Sequence, residues 1–122
     1  MDLRRFKKSF NYAFHGLKYV LSTQQNVRIH LGCTLVVLFM AWYFAVSRVE
    51  LLILLLTSAM VLVAEIINTA IETTINYFTG ERQKWSKIAK DVAAASVLVT
   101  AILAIIIGVI IFWPIFYHKF FK

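Results

Sequence analysis

The stretch Ala64-Glu65-Ile66-Ile67-Asn68-Thr69-Ala70-Ile71-Glu72-Thr73-Thr74-Ile75-Asn76 places two carboxylates and two amides at the end of a run, Leu51 to Ala64, that carries no charge. An ionisable group at the centre of a membrane helix costs about 2.5–3.5 kcal/mol on insertion scales, so an acid placed there marks a functional site. On a helix, Glu72 falls within ~20° of Glu65 and ~10.5 Å further along the axis. Asn76 returns to the same line, and Asn68 sits on its flank. Two turns is too far for the carboxylates to act as one dyad. The spacing suits a division of labour, with one carboxylate accepting the proton of an alcohol and the other holding a cation. Mg²⁺ suits that second task, because it binds through one or two carboxylates plus phosphate oxygens and keeps several waters. The same stripe also suits polar glue between helices or an ion or proton path.

Further along, Lys84, Lys87, Lys90 and Asp91 lie in a charged connector, with Lys90-Asp91 immediately before the last apolar run. A lysine there meets phosphate as a point charge, and Asp91 caps a helix or accepts a donor. A basic cytoplasmic loop ending in an N-cap has the same composition. The four glycines (Gly16, Gly32, Gly80, Gly108) form no G-x-x-x-x-G-K, and there is no H-R-D or D-F-G. These absences exclude a P-loop and a protein-kinase fold. His30, after Asn26-Val27-Arg28, is expected as an interfacial polar residue or a headgroup contact. Tyr12 anchors a surface helix or stacks on a base. Cys33, the single cysteine, has no activating neighbour in sequence and is expected as packing. No Cys/His set has zinc spacing.

The elements that hold these residues are apolar helices. Of 122 residues, 61% are hydrophobic and the mean hydropathy is +0.76, well above a soluble domain. The net charge of +7 then points to an anionic membrane surface and an anionic substrate. We expect an all-α membrane protein, a single domain over 1–122, with an N-terminal amphipathic surface helix and three membrane spans. In residues 1–26, Leu3, Phe6, Phe10, Ala13, Leu17 and Val20 recur at helical spacing. Arg4, Arg5, Lys7, Lys8, His15 and Lys18 supply a basic remainder, the pattern of a helix lying on an anionic leaflet.

The first span is expected over 29–46, with Trp42 and Tyr43 at a membrane boundary. Ser47-Arg48-Val49-Glu50 is expected as a tight loop. The second span runs over 51–79, longer than a ~30 Å hydrocarbon core, with Gly80 as its stop. The third runs over 92–115, ending near Trp113-Pro114. Lys and Arg number six before the first span and four in the 81–91 connector, against one in the first loop and two in the tail. This asymmetry places the N-terminus and the carboxylate stripe on the cytoplasmic side, where ATP and Mg²⁺ are. No A-x-A cleavage site follows a short apolar core, so no removable signal peptide is expected.

Glu65-Ile66-Ile67-Asn68-Thr69-Ala70-Ile71-Glu72, with Lys87-Ile88-Ala89-Lys90-Asp91-Val92-Ala93-Ala94-Ala95 downstream, resembles the bacterial integral-membrane diacylglycerol kinase and undecaprenol kinase family. The order of elements resembles it too, including Asn26-x-Arg28-x-His30 ahead of three spans. The resemblance covers nearly the whole chain. It implies a multi-pass homotrimer of the bacterial inner (cytoplasmic) membrane, with sites shared between subunits. It implies transfer of the γ-phosphoryl group of MgATP to a lipid hydroxyl. Glu65 would be the base on that hydroxyl and Asn68 would support it. Glu72 would ligate the metal bridging the ATP phosphates. Lys90 and Asp91 would contact the nucleotide, as would Glu81 in the connector. Arg5, Tyr12 and Ala13 fall where the family approaches lipid and nucleotide.

Two positions depart from the family pattern. Gln24 stands where many members have an acidic metal-binding residue, and Asn76 where an aspartate is frequent. A neutral amide is a weaker Mg²⁺ partner, so the metal would rest on Glu72, phosphate oxygens and water. Loss of these two charges also raises the reading of a degenerate homologue that binds nucleotide without turnover. The N-T-A-I-E block and the Phe112-Trp113-Pro114 ending resemble the undecaprenol-type members, so undecaprenol is the expected acceptor, with diacylglycerol as the alternative. A non-catalytic oligomeric membrane protein or cation path is the reading of a different class.

Overall fold

A computed structural model of the chain describes residues 2–79 and 83–121. Among the described residues four helices follow one another: α1 (Leu3–Thr23), α2 (Gln25–Tyr43), α3 (Arg48–Phe78) and α4 (Lys84–Phe120). The last three are long and apolar enough to cross a membrane. Most of their large apolar side chains face outward, Leu56 and Ile105 among them. Such a surface suits lipid or neighbouring subunits rather than water.

Each junction has a local cause. The Asp2 side chain accepts a hydrogen bond from the Arg4 amide at 3.0 Å and starts α1. Gln24 is extended (φ −106°, ψ 108°) and separates α1 from α2. Arg28 reaches back from α2, donating to the carbonyls of Leu21 and Ser22 at 3.2 and 3.1 Å, so a cation satisfies the open end of α1. The expected surface helix over 1–26 therefore stops at Thr23, and α2 begins ahead of Ile29.

The α2–α3 turn differs from the expected loop over Ser47–Glu50. Ala45 takes a left-handed conformation (φ 51°). The Val46 amide donates to the Ala41 carbonyl at 3.1 Å and the Ala45 amide to the Trp42 carbonyl at 3.2 Å, which is a Schellman stop. Ser47 then caps α3. Its hydroxyl accepts from the Glu50 amide at 3.1 Å, while Glu50 accepts from the Ser47 amide at 3.0 Å. This reciprocal capping box turns Arg48–Glu50 into the first turn of α3.

The connector before the third span is also mostly helix. α4 begins at Lys84, not Val92, and passes through Pro114 to Phe120. Proline is tolerated inside membrane helices because neighbouring helices take over what the missing amide leaves. Here the last turns lean on α2: the Phe44 and Phe116 rings lie 4.9 Å apart, and Lys119 Nζ sits 4.3 Å over the Tyr43 ring.

α2, α3 and α4 alternate in direction, so the bundle has two distinct ends. Ala41, Leu54, Ile111 and Phe112 form a buried apolar cluster near the α2–α3 turn. The opposite end holds the buried polar side chains Glu65, Asn68, Thr69 and Ser86. There Thr79 and Ser86 share a hydroxyl–hydroxyl hydrogen bond of 2.7 Å that ties the end of α3 to the start of α4. Gly80 and Glu81 lie outside the described residues.

Candidate functional site

Glu65 is only 3% exposed. It projects from the middle of α3 towards α2 and α4. Its Oε1 lies 3.5 Å from Nε2 of His30 on α2. The two residues lie at nearly equal distances in sequence from the Ala45–Ser47 turn, so the antiparallel pairing of α2 and α3 brings them level. A buried carboxylate needs such a partner, because an isolated charge away from water is costly.

One turn on, Asn68 Nδ2 donates to Glu72 Oε1 at 3.5 Å, a long contact. Asn68 Oδ1 is buried and, among the described residues, has no hydrogen-bond partner. The Thr69 hydroxyl donates to the Glu65 carbonyl at 2.9 Å, so it serves its own helix rather than the site. Glu65, Asn68 and Glu72 line a polar cavity of about 350 Å³ with Asn26 and His30 from α2 and Ala94, Val97, Leu98 and Ala101 from α4. The three α3 residues expected from the sequence are thus gathered, with Glu72 half-buried at the rim.

His30 and Ala101 also line a second, apolar groove of about 520 Å³. It runs between α2 and α4 from His30 towards Phe116, floored by Ser58 and Val61 of α3. Ala101, Ala104 and Gly108 keep its α4 wall low. A β-carbon built on Gly108 meets nothing within 4 Å. Cys33 lines the same groove and is exposed in the chain rather than packed inside it. Glu65 therefore stands where a polar cavity and an apolar channel meet.

The other candidates are not in the cavity lining. Lys90 is half-buried and Asp91 exposed. Asp91 accepts a hydrogen bond from Lys87 Nζ at 2.8 Å. At helical spacing Lys90 continues the α4 stripe of Ala94, Val97 and Ala101, one turn beyond the rim. Gln24 sits at the α1–α2 junction, its Nε2 3.4 Å from the Thr23 hydroxyl. Arg5, Tyr12 and Ala13 are exposed on α1, and Asn76 is exposed near the end of α3. Glu81 lies outside the described residues. Asn26 and the Glu65 pairing of His30 were not anticipated. Their signal is the i, i+4 spacing of two polar residues on a helix that must face a buried acid.

Among the described residues no three His, Cys, Asp or Glu side chains converge as a metal cage. The hard oxygen donors offered at the cavity rim are those of Glu72. That set is too small to hold a cation alone. It fits Mg²⁺ arriving with substrate phosphates, which the metal takes as most of its protein-side ligands are lacking.

The chain has relatives among known proteins. The family described as prokaryotic diacylglycerol kinase matches residues 11–112. A diacylglycerol kinase of Synechocystis sp. is 39% identical over 82% of this chain, which spans 58% of that relative's length. An undecaprenol kinase of Bacillus subtilis is 35% identical over 93% of this chain and 92% of its own. The Escherichia coli diacylglycerol kinase is 28% identical over 92% of both. With a match that takes in the α2 histidine, the α3 acids and the α4 wall together, the chain belongs to the prokaryotic diacylglycerol kinase family.

Proposed function

We propose that the protein is an ATP-dependent lipid kinase that transfers the γ-phosphoryl group of MgATP to a membrane lipid hydroxyl, that of undecaprenol. The carrying observation is the buried Glu65 carboxylate where the polar cavity meets the apolar groove. A lipid alcohol has the same two-part character. Its chain keeps to the groove and the bilayer while its hydroxyl reaches Glu65. The carboxylate takes the hydroxyl proton, the oxygen attacks the γ-phosphorus, and ADP leaves with the electrons of the broken P–O bond. Phosphoryl transfer depends mainly on positioning and charge neutralisation.

Asn68 steadies Glu72 through Nδ2 and offers Oδ1 to the incoming acceptor. Glu72, with phosphate oxygens, would hold Mg²⁺, which neutralises polyphosphate charge when bound. Gln24 contributes little to it. Lys90 and Asp91 meet the nucleotide, with Glu81 in the same connector. Arg5, Tyr12 and Ala13 serve lipid and nucleotide from α1, lying on the cytoplasmic leaflet of the bacterial inner membrane with the N-terminus inside. The site is completed in a homotrimer. This accords with a single chain whose Lys90 and Asp91 stop short of the cavity lining and whose apolar faces are largely uncovered.

Undecaprenol is supported by the N-T-A-I-E block and by the near full-length match to the Bacillus relative. A second reading, diacylglycerol as acceptor, is favoured by the higher identity to the Synechocystis protein. The role of Glu65 is tested by Glu65→Gln in purified protein. Turnover falls by about 10²–10⁴-fold, the usual worth of a general base, while the oligomer stays intact. Wild-type turnover, or loss of assembly as the primary defect, contradicts the reading.

A further inference from the structure

His30 is the ion-pair partner of Glu65 among the described residues, at 3.5 Å, and its side chain is partly shielded. It lines both the polar cavity and the apolar groove. Nε2 of the ring faces one carboxylate oxygen, Oε1, at ion-pair distance. The other oxygen is left for a hydroxyl arriving along the groove.

We propose that His30 is a positioning residue for phosphoryl transfer, fixing the rotamer of the Glu65 carboxylate at the mouth of the groove by donating from Nε2 to Oε1. This rests on the reading of Glu65 as the base. Polar glue between α2 and α3 is the plainer role for such a pair. Two structural features favour positioning. The contact lies at the junction of the two cavities, not in the packed apolar cluster. Asn68, one turn on, is likewise tied to a carboxylate, its Nδ2 lying 3.5 Å from Glu72 Oε1.

Without the donor the carboxylate swings among its rotamers, and a misplacement on the order of 1 Å costs about 10²-fold in rate. The loss falls on kcat, with KM for the lipid free to change because His30 also lines the groove.

The test compares His30→Gln with His30→Met in the full-length protein, using MgATP and the lipid acceptor that gives product. The two side chains are similar in length and flexibility, and only Gln keeps an N–H donor. The expected result is His30→Met lowered about 10²-fold in kcat with KM for ATP nearly unchanged, and His30→Gln recovering about tenfold or more in kcat. Equal activities of the two variants, or a wild-type kcat for His30→Met, overturn the proposal. So does a loss shared by both with equal loss of thermal stability, which is the polar-glue outcome. Glu65→Gln run alongside separates the two claims. If it is inactive while Gln and Met at position 30 behave alike, only the role of His30 fails. If it turns over normally, the reading of Glu65 fails first.

Discussion

Glu65 and Glu72 are chemically identical and placed differently. The first is buried against an imidazole, and the second is half-buried beside an amide at the cavity rim. On the proposed reading the first serves a lipid hydroxyl and the second a cation that comes with phosphate. Glu72→Gln is therefore expected to raise the Mg²⁺ concentration needed for half-maximal turnover by about tenfold or more. Gln24→Glu, which adds back a carboxylate near the α1–α2 junction, is expected to lower it. A magnesium titration of initial rates checks both. An unchanged Mg²⁺ requirement in Glu72→Gln would remove that residue from the metal's surroundings.

The helices were legible in the sequence wherever the signal was a long uncharged run. Their ends were less so, because ends depend on single hydrogen bonds. Ser47-x-x-Glu50 is a capping-box pattern, yet with Arg48 inside it the stretch reads more readily as a charged loop. Lys84 to Asp91 looked like a connector by charge, but a helix end outside the hydrocarbon carries lysines without penalty. Pro114 looked like a stop, while aromatic contacts with α2 carry α4 past it. Periodicity shows the Glu65–Glu72 stripe, whereas its α2 partner does not follow from periodicity, since partners across helices depend on the turn between them.

Two predictions belong to these elements. Ala45 holds a left-handed conformation that costs an L-residue roughly 1–2 kcal/mol, so Ala45→Gly is expected to raise the midpoint of thermal inactivation. Ser47→Ala, which removes the cap on α3, is expected to lower it, at a cost of about 1 kcal/mol. Along the groove, Gly108→Leu finds open space for its first carbon and narrows the channel beyond it. It should raise KM for the lipid while leaving KM for ATP near wild type, and steady-state kinetics with each substrate varied will show whether it does.

The bundle as assembled divides its labour by end. One end is a closed apolar cluster beside the α2–α3 turn. The other holds buried Glu65 and Asn68 with half-buried Glu72, towards the side rich in Lys and Arg. That arrangement lets a water-soluble phosphate donor and a lipid acceptor meet without either leaving its own phase. Incubating the purified protein with γ-labelled ATP, Mg²⁺ and vesicles containing both undecaprenol and diacylglycerol, and then identifying the labelled lipid, tests this account at its centre. The expected product is undecaprenyl phosphate. Labelled phosphatidic acid in its place would keep the kinase and replace the acceptor, and no labelled lipid at all would contradict the account.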